Sequence, residues 1–187
     1  MDKLQPAIFL IPIIALTLVV IFYFILLKKS SDKIFFQQFV FFTFLLSFVL
    51  NFAWEVLQGP LYNGFDFTIS HIAFCGLASI ADAIMVMLIY FSFAIIYKNS
   101  LWIKHINFQQ IIMLVLVGGI GAILSEMRHL SIGTWSYTSS MPIVPFVHAG
   151  LSPVLQFMVL PGLIFYLSFC YLKKLNQWFY VISTNLM

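Results

Sequence analysis

The chain has 187 residues, of which 63% are hydrophobic and only 8% charged, and its mean hydropathy is +1.06. A soluble globular chain carries roughly a quarter charged residues, so most of this surface is not built for water. The net charge of +3 reflects a bias among short loops and not a nucleic-acid interface.

Five hydrophobic runs are long enough to cross a bilayer as helices, which takes about 20 residues each. They cover roughly 6–27, 34–58, 69–97, 109–130 and 144–172. The runs are continuous, without the alternation that a transmembrane barrel strand needs. The expected fold class is therefore all-α: one polytopic helical membrane domain over 1–187 with five transmembrane helices. The first span is too long for a signal-peptide core and is expected to be retained. The tail NQWFYVISTNLM is weakly amphipathic and is expected to lie along the interface.

Basic residues set the orientation. Lys28, Lys29 and Lys33 fall between spans one and two, Lys98 and Lys104 between three and four, and Lys173 and Lys174 after five. Lys3 and Arg128 fall on the other side. The positive-inside rule makes the lysine side cytoplasmic, which puts the N-terminus out and the C-terminus in. The expected location is a cytoplasmic (inner) membrane, multi-pass. Cys75 and Cys170 would then lie at opposite depths, too far apart to bridge.

The polar residues of the spans gather on the side away from the lysines. Span two ends in NFAWEVLQGPLY, where Asn51, Glu55 and Gln58 share a helical face at i, i+4, i+7. Span three brings His71, Cys75, Ser79 and Asp82 down one stripe, with Asp82 about 20 Å deep at 1.5 Å per residue. Span four delivers Glu126, Arg128 and His129, and span five His148 and Gln156. Ionisable groups at such depth cost ~2.5–3.5 kcal/mol on insertion scales and usually face the bundle interior. The opposite halves of the spans carry almost no polar residues.

Glu55, His71, Asp82, Glu126 and His129 are thus the candidate catalytic residues. Asn51, Trp54, Gln58, Arg128, Trp135, Tyr137, His148 and Gln156 would line their pocket. Each also has a structural reading. Arg128 would meet the helix dipole and snorkel outward, and Trp54, Trp135 and Tyr137 would be interfacial anchors. Asn51, Glu55 and Asp82 would form a hydrogen-bond knot. Gly118, Gly119, Gly121 and Ala122 read as a close-packing helix face. In span five, Pro153 and Pro161 are expected to free the carbonyls of Ala149 and Phe157.

Glu126-x-x-His129 has the spacing that places two ligands on one face of a di-iron bundle helix. A divalent metal, zinc or iron, would draw on Glu126, His129, His148 and His71. Positions 126 and 129 differ by about 60° around a helix, whereas 126 and 128 differ by about 160°. Glu126 and His129 are therefore expected to face inward together, with Arg128 turned away.

Metal-free chemistry needs only one protonated carboxyl beside an ionised one. That chemistry suits an enzyme on a lipid-like or isoprenoid substrate. Two alternatives stand beside it: a non-catalytic accessory or assembly subunit of a membrane complex, and a small transporter. The gap in polar residues toward the lysine side discriminates, because an enzyme pocket can be closed at the bottom and a transport route cannot.

Overall fold

Helix boundaries follow the capping chemistry. The Asp32 side chain accepts from the Phe35 N–H at 3.0 Å and starts the second helix. Asn107 and Gln110 exchange side-chain and backbone bonds, both 2.9 Å, in a capping box at the fourth. That helix stops before Gly133, whose φ of +71° suits a residue without a Cβ. In the computed structural model, which describes residues 10–185, the chain forms α1 (Leu10–Lys29), α2 (Lys33–Gln58), α3 (Ile69–Ile96), α4 (Phe108–Ser131) and α5 (Leu151–Asn185). All five helices are long and apolar enough to cross a membrane. Residues 6–9 of the first expected span lie outside the described residues. Much of the tail continues α5 as helix.

Packing order differs from chain order. Helix α3 packs against α1 and α2, α2 against α5, and α4 chiefly against α5. The outward faces, with Ile13, Phe41 and Leu124 exposed, suit lipid and not water. Gly118 lets α4 close on α5, because a Cβ there would stand 1.9 Å from the Phe157 carbonyl oxygen. Pro161 lacks the N–H that this carbonyl would otherwise accept from. The glycine thus sits over a backbone group that its own helix leaves free.

The seven lysines do share one end of the bundle. The Lys104 ammonium lies 4.7 Å from the Phe35 ring, and Phe35 packs edge-on against Phe169. Just inside this lysine end lies an aromatic plug. Phe36, Phe39, Tyr90, Phe91, Trp102 and Phe165 are all fully buried. The Tyr90 ring centre is 4.9 Å from Phe39, 5.6 Å from Trp102 and 5.1 Å from Phe165. The Tyr90 hydroxyl donates to the Ser100 carbonyl at 2.7 Å, and the Trp102 indole to the Tyr90 carbonyl at 3.2 Å. A buried aromatic removes roughly 150–250 Å² from solvent, so six of them form a thick apolar barrier.

The fifth span needs correction. Its helix begins at Leu151, not near 144, and residues 142–150 form a folded loop. The Val144 N–H donates to the Ala149 carbonyl at 2.8 Å, and the Leu151 N–H to the Pro142 carbonyl at 2.7 Å. Phe146 and His148 adopt left-handed φ of 71° and 54°, which no helix tolerates. Pro145 therefore opens no helix. Pro153 falls in the first turn of α5, where a proline is accommodated, and frees no carbonyl at Ala149. Only Pro161 interrupts the helix interior.

Candidate functional site

The end away from the lysines is built from the last turns of α2 and α4, the first turns of α3 and α5, and the two loops joining them. Those loops pair. Tyr62 and Tyr137 form an antiparallel bridge, with Asn63 N–H donating to the Ser136 carbonyl and Thr138 N–H to the Leu61 carbonyl, both at 2.9 Å. The Asn63 amide adds bonds to Ser136 Oγ at 3.0 Å and the Tyr137 carbonyl at 2.7 Å. Together the loops make a lid.

Beneath the lid, one hydrogen-bond network ties α2, α3 and α5. Gln156 is its hub. Its Nε2 donates to Asn51 Oδ1 at 2.8 Å and to Asp82 Oδ2 at 3.1 Å, and its Oε1 accepts from Gln58 Nε2 at 3.2 Å. Gln58 Nε2 also donates to Glu55 Oε1 at 2.7 Å, and Gln58 Oε1 accepts from Ser152 Oγ at 2.9 Å. Asn51, Gln58 and Gln156 are buried, and each is hydrogen-bonded, as most buried polar groups are. The Glu55 carboxyl lies within reach of both Gln156 and the Asp82 carboxyl.

Glu126, on α4, is buried and held from above. Trp135 Nε1 donates to its Oε2 at 3.2 Å, and the Tyr137 hydroxyl donates to the same oxygen. The Tyr137 hydroxyl in turn accepts the Gly150 N–H at 2.9 Å, which fastens the α4–α5 loop to α4. Burial, followed by the bond to Glu126, pushes the Tyr137 phenol above its ordinary value. Tyr62 is pushed up too, first by burial and then by the Glu126 charge. Both phenols keep their protons, so Tyr137 remains a donor. Tyr62 lies edge-on to Trp135 and Tyr137, completing an aromatic ceiling.

The remaining candidates go elsewhere. His71 pairs through Nδ1 with Asp66 in the α2–α3 loop, away from the network. Thr68 Oγ1 donates to Asp66 at 2.6 Å; this bond, then His71, holds the Asp66 carboxyl below its ordinary range. The His129 ring stacks on Trp135 at 4.1 Å, with Nδ1 3.3 Å from Thr134 Oγ1. His148 is exposed on its loop. Trp54 is half-buried beside Glu55 in sequence, and its indole N–H has no protein partner. Arg128 is half-buried with Nη1 unpartnered.

The histidines and Glu126 therefore do not converge as a metal set. Among the described residues, no three His, Cys, Asp or Glu side chains do. The Glu-x-x-His spacing on α4 serves the lid instead, since Glu126 and His129 both meet Trp135.

The sequence pattern also missed residues. Thr43 and Ser47 extend the α2 stripe of Asn51 toward the lysine end, both fully buried, and Ser168 is buried on α5. Their hydroxyls have no protein partner, whereas Ser79 bonds back to the Cys75 carbonyl at 2.6 Å. The i, i+4, i+8 spacing of Thr43, Ser47 and Asn51 was the signal that could have found the first two.

What the arrangement can do is set two half-buried carboxyls beside buried amide donors, under an aromatic ceiling. No protein-family model, curated protein or solved structure matches the chain.

Proposed function

We propose that this chain is a membrane-embedded acid–base enzyme acting on a lipid-like or isoprenoid substrate, with Glu55 and Asp82 as the proton-exchanging pair. The observation that carries this reading is the Gln156-centred network. It brings two carboxyls from different helices together in an apolar bundle and gives them amide partners but no basic one. Two carboxyls that close share protons readily. One can give a proton to one carbon of an alkene while the other takes a proton from the allylic carbon attached to the opposite alkene carbon. The double bond moves, the pair's proton count is unchanged, and nothing is oxidised or reduced. Glu126 and Tyr137 position the lid above.

The aromatic plug supports an enzyme over a transporter, because six buried rings separate the network from the lysine end. The lysine distribution supports placing that end in the cytoplasm of a cell whose inner membrane holds the chain. An accessory-subunit role is the second reading. It is favoured by Phe146, which is 100% exposed at the tip of the 142–150 loop and free to meet another chain.

Mass spectrometry of lipid extracts tests the first reading. Cells expressing the wild-type chain should convert at least one lipid species that cells expressing Glu55→Gln or Asp82→Asn leave untouched. Identical lipid profiles from wild type and both variants, at equal membrane abundance, would rule the enzyme reading out.

A further inference from the structure

Arg128 stands three residues before the end of α4, and its Nη1 is buried with no hydrogen-bond partner in the protein. A guanidinium nitrogen out of water and unpaired is costly, and structures normally supply an acceptor. The carbonyls at the helix end already accept other hydrogen bonds. The Arg128 carbonyl accepts from Ile132 N–H at 3.1 Å and from Ser131 Oγ at 2.7 Å. The His129 carbonyl accepts from Thr134 N–H at 2.9 Å, and the Leu130 carbonyl from Gly133 N–H at 3.1 Å. The end of the helix is thus capped without the arginine.

No carboxylate claims it either. Glu126 is bonded to Trp135 and Tyr137, and sits about 160° away around the helix. Among the described residues the only acid–base pair is His71 with Asp66. Among the described residues every lysine lies at the other end, and Arg128 is the one Lys or Arg side chain at this end.

We propose that Arg128 binds a phosphate-ester group. The arginine stands about 4.5 Å from the end of α4, at a membrane-helix end, where arginine side chains reach toward headgroups. The planar fork of arginine also fits a phosphate with two parallel bonds, which the point charge of lysine does not. The substrate class is then an amphiphile with a phosphate headgroup. As a statement about substrate this rests on the acid–base reading; as a binding site it stands apart from it.

The purified chain in uncharged detergent tests this, with tryptophan fluorescence as readout. The probe is a short-chain alkyl phosphate, the control an alkyl glycoside of equal chain length, and the competitor inorganic phosphate. Wild type should prefer the alkyl phosphate by about 10- to 100-fold, the worth of a charge-assisted hydrogen bond. Arg128→Gln should lose the preference and Arg128→Lys most of it. Competition by inorganic phosphate identifies a soluble phosphate as the ligand, and absence of competition a lipid headgroup; either supports the site. Equal binding of the two amphiphiles by wild type overturns it, as does an undiminished preference in Arg128→Gln. If Arg128→Gln does not fold, an undiminished preference in Arg128→Lys overturns it equally. Glu55→Gln should keep the phosphate preference while losing turnover, so failure of one proposal leaves the other readable.

Discussion

Two acid clusters occupy the same end of this molecule and are built on opposite terms. Asp66 and His71 meet five residues apart where an exposed loop enters α3, with Thr68 and Ser70 adding bonds of equally short range. The Glu55, Asp82 and Gln156 network joins side chains 74, 98 and 105 residues apart, inside the bundle. Water can replace any partner the loop acid loses. In the network the partners are bundle side chains: Gln58 serves Glu55 from the same helix, and Gln156 serves Asn51 and Asp82 from α5. The same functional group is locally replaceable in one place and globally constrained in the other.

Gln156→Leu should break this contrast most sharply. It leaves Asn51 Oδ1, Asp82 Oδ2 and Gln58 Nε2 short of a partner, and an unsatisfied buried group costs about 1–3 kcal/mol. Thermal unfolding in detergent should show a loss of about 2–4 kcal/mol; a change within error would mean that water enters freely. Tyr137→Phe comes next. Glu126 loses a donor and the Gly150 N–H an acceptor, for an expected loss of about 1–2 kcal/mol and faster proteolysis in the 142–150 loop. Unchanged proteolysis would show that another contact holds the lid.

Asn63→Ala removes the amide that pins the two loops together at the surface. The expected cost is about 0.5–1 kcal/mol, with hydrogen exchange rising around Tyr62 and Tyr137 and not around Gln156. The smallest effect belongs to Asp66. Its carboxyl is held below the usual 3.8 in the folded chain, so unfolding takes up protons there. Its contribution is complete above that value and is lost as pH falls through the lowered folded value. Asp66→Asn should flatten the acid-side slope of stability, with a small loss at neutral pH, where the charged carboxyl contributes in full, and no loss below the lowered folded value. An unchanged acid-side slope would mean that Thr68 and His71 do not hold this carboxyl below its ordinary range.

Hydrophobic run length revealed the five helices, and helical spacing revealed the α2 face of Asn51, Glu55 and Gln58. Both are properties of one segment at a time. What joins segments was less legible. His71 lies on a stripe with Cys75, Ser79 and Asp82, yet Asp66, just before the helix, takes its ring outward. The run PIVPFVHAGL is as apolar as a helix, and hydropathy has no view of the left-handed φ at Phe146 and His148. Thr43 and Ser47 were overlooked because hydroxyls usually satisfy themselves against their own helix, as Ser79 does.

The aromatic plug has a bearing on energetics. Moving one elementary charge across a bilayer exchanges about 2.3 kcal/mol with every 100 mV of membrane potential. Protons that enter and leave the carboxyl pair from the lidded end cross the same part of that field in and out, because Phe39, Tyr90, Trp102 and Phe165 close the other side. A turnover thus moves no net charge. The reaction at Glu55 and Asp82 would therefore reach the same ratio of product to substrate in polarised and depolarised vesicles.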